Sequence, residues 1–308
     1  MPEGLTAFLF PGQGAQAVGM GADVHAASPA ARAVFDEADA LFGFSLSKVI
    51  LDGPASELLR SDHAQPALLC VSIAMLRAME ERLGRRMPQA SFFAGHSLGE
   101  YTALVASGAL DLTAALRLVR LRGELMQVAA EATSSGMAAL LGMKLDGALA
   151  ACEGTGAQVA NVNSVEQIVI AGPDDALQRA IARAKEAGAR RAIPLEVAGA
   201  FHTEVMRPAQ QGMDRALAEV PLTRPSVPVI ANTSGRPLMT EDDIRHELAT
   251  QLCGCVYWQQ SIEYMAEQGV TRFVEIGPGK VLSGLAKRIA PGTEATSVGD
   301  LDALNALT

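Results

Sequence analysis

The chain opens on a short apolar run, Leu5 to Phe10, stopped by Pro11-Gly12-Gln13-Gly14. A run of that length closed by turn formers reads as a buried strand with a tight loop at its carboxyl end. Pro29 to Leu41 and Ala67 to Leu83 space their apolar residues by three and four, and Gly84 stops the second run. That period predicts amphipathic helices. The next short strand, Ser91 to Ala94, runs directly into Gly95-His96-Ser97-Leu98-Gly99-Glu100, beyond which Tyr101 to Ala109 reads as a buried helix of small residues closed near Gly108.

From Gly136 the pattern changes. Met137 to Met143 predicts a strand, Leu145 to Glu153 a helix, Gln158 to Val162 and Gln167 to Ala171 two strands, Asp174 to Ala187 a helix and Arg190 to Val197 a strand. The order βαββαβ is that of the ferredoxin-like unit, with Val159 to Val162 and Ile168 to Ile170 paired across an Asn163-Ser164 turn. This segment is expected to stand as a small domain inserted into a larger one. After it come a helix over Glu204 to Val220, a strand over Val227 to Ala231, helices over Asp242 to Leu252 and Ser261 to Gln268, and a last strand, Arg272 to Ile276, with a final helix after Gly277-Pro278-Gly279.

Composition narrows the class. The 308 residues are 49% hydrophobic, which is enough for two domains with full cores. Charged residues at 19%, aromatics at 4% and Ala- and Leu-rich stretches favour a helix-rich α/β protein. No basic leader with an apolar stretch and no long apolar run is present, so a cytoplasmic protein with no membrane association is expected. The cysteines Cys70, Cys152, Cys253 and Cys255 are scattered, and Cys253-x-Cys255 has no second pair at zinc-site spacing. Free thiols and no metal are expected. The net charge of −9 argues against nucleic acid. Attraction to an anionic partner must then come from a local patch, for which Arg82 with Arg85 and Arg86, Arg190 with Arg191, or Lys280 with Lys287 and Arg288 are candidates.

The chemistry-bearing motif is Gly95-x-Ser97-x-Gly99 between a strand and a helix, the arrangement of a nucleophile elbow. The serine occupies a sharp turn where side chains at the flanking positions would collide with the adjoining strand and helix. Its hydroxyl is presented at a helix start, where free N–H groups favour developing negative charge. A serine nucleophile needs a base. Of the five histidines, His96 adjoins the nucleophile, and neighbouring side chains on a tight turn diverge; His25, His63 and His246 sit in polar stretches. His202 follows Val197-Ala198-Gly199-Ala200-Phe201, where the small domain ends and the large one resumes, which would place it over the cleft between them.

Taken together, Phe10-Pro11-Gly12-Gln13-Gly14-Ala15-Gln16, Gly95 to Glu100, Gly199-Ala200-Phe201-His202, Gln251-Leu252 with Trp258, and Glu275-Ile276-Gly277-Pro278-Gly279 resemble, in this order, one known family. It is that of the malonyl-CoA:acyl carrier protein transacylases of fatty acid synthesis, with the related acyltransferases of polyketide assembly. The resemblance runs from Leu5 to about Ile289. It implies an α/β-hydrolase-like large domain over residues 1–134 and 199–308 with a ferredoxin-like small domain over 135–198 inserted.

By position, the resemblance makes Ser97 the nucleophile and His202 its general base, with a main-chain carbonyl near Gln251 in the third role. The backbone N–H groups of Gln13 and Leu98 would form the oxyanion hole. Arg122, within Leu121-Arg122-Gly123-Glu124-Leu125-Met126-Gln127, would hold the free carboxylate of malonate, a task that suits a two-pronged guanidinium. Phe201 would limit room at the alpha carbon and favour malonyl over methylmalonyl. The implied partners are an acyl carrier protein and a coenzyme A thioester, with malonyl-CoA as substrate, no other cofactor and a monomeric enzyme. Two departures stand out: Ser61-Asp62-His63-Ala64 where a threonine-rich stretch is usual, and Cys255 in place of a proline before Trp258, close enough to affect the carbonyl that orients His202. An acyl-thioester hydrolase that clears carrier proteins is the alternative reading, and a non-catalytic docking protein a more distant one; the Arg122 clamp weighs against the first and the Ser97–His202 set against the second.

Overall fold

In the computed structural model, which describes residues 4–307, the described strands follow one another as β1 (Leu5–Phe10), β2 (Ala90–Gly95), β3 (Ser135–Leu141), β4 (Gln158–Ser164), β5 (Gln167–Pro173), β6 (Arg191–Pro194), β7 (Val229–Ile230), β8 (Pro237–Leu238), β9 (Val270–Ile276) and β10 (Glu294–Val298). Residues 1–3 and 308, which the expected domain bounds include, lie outside the described residues. The strands form two sheets in a mixed α/β fold.

The larger sheet has the order β10-β9-β1-β2-β7-β8. Its first five strands are parallel, and only β8 runs the other way. Strand β1 is central and almost wholly buried, as a parallel strand covered on both faces must be. Phe10 registers with Gly95, and Leu9 with Glu275. The carboxyl ends of β1, β2 and β9 therefore lie together, and the Pro11–Gly14 loop, the Ser97 turn and the Gly277–Gly279 loop leave from one edge. That edge of a parallel sheet is where ligand sites form.

The smaller sheet has the order β4-β5-β3-β6 and is antiparallel throughout. Side chains alternate across a strand, and both faces are put to use. Ala138, Leu140, Ile168 and Ile170 face the Leu145–Cys152 and Asp174–Glu186 helices in a core of their own. Met137, Ala139, Val169 and Ala171 join the core of the larger body. Two main-chain bonds pin β4 to the segment after Gln251: Val162 N–H donates to Val256 O at 2.8 Å, and Val256 N–H to Ala160 O at 2.9 Å.

Several elements differ from the expectations of the hydrophobic pattern. The helix expected from Ala67 begins at Ser61, runs to Leu83 through Pro66, and is buried on all sides until its last two turns. It is a central helix, not an amphipathic one. Its first turn lies under the Leu112–Ala132 helix, where a Cβ built on Gly123 would sit 2.3 Å from Ser61 O. The loss of one N–H at Pro66 is outweighed by that packing. The helix after the Ser97 turn is Gly99–Ala106, shorter than Tyr101 to Ala109 at its far end. The small hairpin turns at Val165-Glu166, not Asn163-Ser164, because a register shift between Val162 and Ser164 carries β4 on to pair Ser164 with Gln167. Strand β6 is shorter than expected. The sheet does not end at β9: β10 adds a further parallel strand, whose only apolar residues, Ala295 and Val298, gave no apolar run to read. The helix expected over Glu204 to Val220 divides into a short turn, Glu204–Met206, and Arg207–Glu219. Among the described residues no helix is long and apolar enough to cross a membrane.

The contact at Gly123 yields a first prediction. Gly123→Ala should lower the unfolding free energy by about 1–3 kcal/mol, because the added methyl meets main chain that cannot turn aside. A urea midpoint unchanged from wild type would show that the two helices separate freely.

Candidate active site

Strand β2 ends at Gly95 and the next helix begins at Gly99. A Cβ on Gly95 would lie 1.9 Å from the main chain of Gly99, and one on Gly99 would lie 2.1 Å from Phe10 O. Only glycine lets strand, turn and helix approach so closely. Between them Ser97 has φ 51°, a left-handed conformation that costs a non-glycine residue ~1–2 kcal/mol. The turn is tied to its surroundings. Asn232, fully buried where β7 ends, accepts from Ser97 N–H at 2.6 Å and donates to Gly95 O at 2.7 Å. His96 N–H donates to Phe10 O at 3.1 Å, which holds the β1 loop beside the turn.

The structure brings His202 to the serine. The Ser97 Oγ to His202 Nε2 distance is 2.8 Å, and His202 Nδ1 lies 2.9 Å from the main-chain oxygen of Gln251. His202 is buried and, like Ser97, left-handed, with φ 60°. A ring whose Nδ1–H donates to a carbonyl presents Nε2 as an acceptor to the hydroxyl, the arrangement in which it can take the proton. Burial, and after it the Arg122 guanidinium, lower the His202 pKa from 6.5 to about 3, so the ring is neutral at physiological pH. Cys255 in place of the usual proline leaves the Gln251 carbonyl on the imidazole. His96 turns away: its Nε2 is 3.0 Å from Asn163 Oδ1 and its ring packs on Trp258.

Arg122 is 1% exposed, far from a solvated surface group. Nη1 donates to Gln65 Oε1 at 2.9 Å; Nη2 donates to Ser97 Oγ at 3.1 Å and to Gln251 Oε1 at 2.9 Å. All three acceptors are neutral oxygens, and Nε has no hydrogen-bond partner. A desolvated guanidinium surrounded this way is suited to receive an anion beside the serine hydroxyl. The backbone N–H groups of Gln13 and Leu98 have no hydrogen-bond partner among the described residues, as an oxyanion site requires. Leu98 immediately precedes the Gly99–Ala106 helix, and the Gln13 amide side chain reaches Ser61 Oγ at 3.2 Å. Phe201 is buried next to His202.

Four residues that the sequence reading did not single out belong to this cluster: Gln65, Glu100, Asn232 and Asn163. Asn232 had a signal, since it is a lone amide directly after the apolar run Val229 to Ala231. Gln65 had none, because its role depends on an arginine 57 residues away. Of the three basic clusters, Arg190 pairs with Glu166 at 2.8 Å.

The family model described as "Acyl transferase domain" matches residues 7–302. A malonyl CoA-acyl carrier protein transacylase of Bacillus subtilis (strain 168) is 45% identical over 299 residues, 96% of this chain and 93% of that protein. The crystal structure of an acyl carrier protein S-malonyltransferase from Vibrio cholerae superposes with a TM-score of 0.95 at 40% identity, covering 98% of this chain and 99% of that one. A malonyl-transacylase solved in complex with its type II PKS acyl-carrier protein superposes with a TM-score of 0.94 at 39% identity, covering 98% of both chains.

The depressed His202 pKa carries a consequence for stability. The unfolded chain takes up this proton near pH 6.5 and the folded one only near 3. Stability is therefore complete above 6.5 and falls by about 1.4 kcal/mol per pH unit below it. Between pH 6.5 and 5 wild type should lose ~2 kcal/mol more than His202→Gln in urea unfolding. Parallel losses in the two proteins would show that His202 is not held neutral.

Proposed function

The chain belongs to the malonyl CoA-acyl carrier protein transacylases of the acyl transferase domain family, and from that premise we propose that it moves a malonyl group from malonyl-CoA to the phosphopantetheine thiol of an acyl carrier protein through an ester on Ser97. The observation that carries the reading is the continuous chain of contacts Ser97 Oγ, His202 Nε2, His202 Nδ1, Gln251 O, with the Arg122 guanidinium 3.1 Å from the same hydroxyl. We read residues 1–134 with 199–308 as an α/β-hydrolase-like body and 135–198 as a ferredoxin-like insertion, which the antiparallel order β4-β5-β3-β6 supports.

In the first half-reaction Ser97 Oγ attacks the malonyl thioester carbonyl while His202 Nε2 takes its proton. The negative charge that develops on the carbonyl oxygen is received by the N–H groups of Gln13 and Leu98, each such donor typically contributing ~3–4 kcal/mol. The C–S bond breaks, and the departing sulfur of coenzyme A takes the proton from His202. In the second half-reaction the carrier's thiol gives its proton to His202 and attacks the Ser97 ester. Ser97 Oγ leaves and recovers the proton. A thioester is consumed and a thioester is formed, so the exchange needs no ATP and no metal. A neutral His202 is the base this sequence requires at physiological pH.

Arg122 pairs with the malonate carboxylate through its two terminal nitrogens, exchanging neutral acceptors for a charged one. Its position 3.1 Å from Ser97 Oγ supports this role, since a carboxylate held there would lie within one malonyl length of a carbonyl at the serine. Phe201, buried and next to His202 in sequence, is the residue we assign to limiting a branch at the alpha carbon. Discrimination of this kind amounts to ~1–3 kcal/mol per methyl.

Intact mass of the protein after brief mixing with malonyl-CoA, and again after addition of holo carrier protein, tests the reading. Wild type should gain one malonyl group and pass it to the carrier; loss of the group to water with the carrier unchanged would establish the hydrolase instead. Ser97→Ala should gain nothing, and a malonyl adduct on that variant would end the Ser97 mechanism. Arg122→Ala should reduce malonyl transfer by ~30-fold or more while acetyl transfer persists, in line with ~2–3 kcal/mol for a charge-assisted pair; an unchanged malonyl-to-acetyl ratio would remove Arg122 from its role.

A further inference from the structure

Glu100 is 0% exposed, on the first turn of the Gly99–Ala106 helix, and touches none of the reacting atoms. Its Oε1 accepts from Asn232 N–H at 3.0 Å, and its Oε2 accepts from Gln251 Nε2. Both partners hold the site elsewhere. The Asn232 amide bonds Gly95 O and Ser97 N–H on either side of His96, fixing the left-handed turn. Gln251 places its main-chain oxygen on His202 Nδ1 and its side-chain Oε1 on Arg122 Nη2, and its Nε2 also donates to Ser97 O at 3.0 Å.

The Gln251 amide is complementary to all of these neighbours in one orientation only. With Oε1 toward the guanidinium and Nε2 toward Ser97 O and Glu100, each donor meets an acceptor. Reversed, its NH₂ would face the Arg122 N–H groups, and its oxygen would face the Ser97 oxygen and the carboxyl group. The acceptor at position 100 therefore decides which way the amide lies. Two N–H groups converge on Glu100, one on each oxygen, so both oxygens of the carboxyl group serve as acceptors. A glutamine there accepts with its oxygen alone and turns its own NH₂ against Asn232 N–H or Gln251 Nε2. Burial, and after it the neighbouring Glu247, hold the Glu100 pKa well above the ordinary carboxylate value, against the bonds from Asn232 and Gln251 and the Arg122 charge.

We infer that Glu100 is a positioning residue for acyl transfer: its carboxyl group orients Asn232 and Gln251, and through them aligns the Ser97 turn, the His202 ring and the Arg122 guanidinium. The inference rests on the Ser97 reading given above. A buried carboxyl group on the first turn of the helix thus links the nucleophile arm of the site to the base and guanidinium arm, and its two partners, Asn232 and Gln251, are fully buried, with no water to substitute for a lost bond.

The test is single-turnover acylation by malonyl-CoA, quenched at intervals and read by intact mass, which separates the rate constant from the fraction of molecules that react. Glu100→Gln is expected to reach full amplitude with a saturating rate constant lowered ~30-fold or more and a half-saturating malonyl-CoA concentration within about threefold of wild type. Glu100→Asp, which keeps both acceptors on a shorter arm, should recover part of that rate. A purely structural role would lower the amplitude and leave the rate constant of the remaining molecules unchanged, and that result overturns the inference, as does a Glu100→Gln rate within about twofold of wild type. If Glu100→Gln does not fold, Glu100→Asp carries the test: a loss of ~10-fold or more at full amplitude supports the role and a loss below about twofold overturns it. A wild type that gains no malonyl group overturns the Ser97 reading and this inference with it, whereas a normal wild type with a fast Glu100→Gln overturns the inference alone.

Discussion

The main-chain contact between Gly95 and Gly99 is the constraint from which the rest of the site follows. With no room for a side chain at either position, the chain reverses from strand to helix within three residues, and the residue at the apex must take a left-handed conformation. Ser97 does so. The strain is offset by the two Asn232 hydrogen bonds that grip the turn on both sides. Because the turn leaves Leu98 at the helix start, the geometry that exposes the hydroxyl also leaves a backbone N–H unpaired beside it.

The second half of the site comes from distant stretches of chain, and its alignment depends on how the two sheets meet. His202 arrives 105 residues after Ser97, and Gln251 49 residues after His202. Between Ser97 and His202 the chain builds the whole antiparallel sheet, one face of which is packed into the core of the larger body. The bonds between Val162 and Val256 join that sheet to the segment that follows Gln251. The His96 bond to Asn163 makes a second link, from the elbow itself to β4. The imidazole is thus held by Ser97 and Gln251, and burial is the main cause of its lowered pKa.

Arg122 shows how a charge is kept buried without a direct ion pair. Its terminal nitrogens are met by amide and hydroxyl oxygens, and the nearest link to a carboxylate passes through the Gln251 amide to Glu100. Each neutral hydrogen bond is weaker than one to a carboxylate. A carboxylate brought beside Ser97 would therefore meet a cation that is desolvated and held in place but not neutralised. The same guanidinium also contributes, after burial, to keeping His202 unprotonated.

Much of this was legible along the chain. Glycines two residues on either side of Ser97, between an apolar run and a helix, marked the elbow because a tight reversal leaves few residue choices. The βαββαβ alternation marked the small sheet because its core needs period-two and period-three-to-four apolar spacing in that order. Position by position, the family resemblance supplied His202, Gln251, Gln13, Leu98 and Arg122, and the structure brings His202, Gln251 and Arg122 around Ser97. What the chain could not display were contacts between polar residues far apart in sequence. The partners of Gln65, Glu100 and Asn232 cannot be read from their neighbours in sequence, and nothing local to the leucine-rich Leu112–Ala132 helix marks Arg122 as buried. The sequence by itself determined where the chain can turn sharply and which faces must be buried, since these follow from local sterics and hydrophobic spacing. Only the tertiary structure decided which buried polar groups face one another, because hydrogen-bond partners and pKa shifts depend on the packing of separate elements.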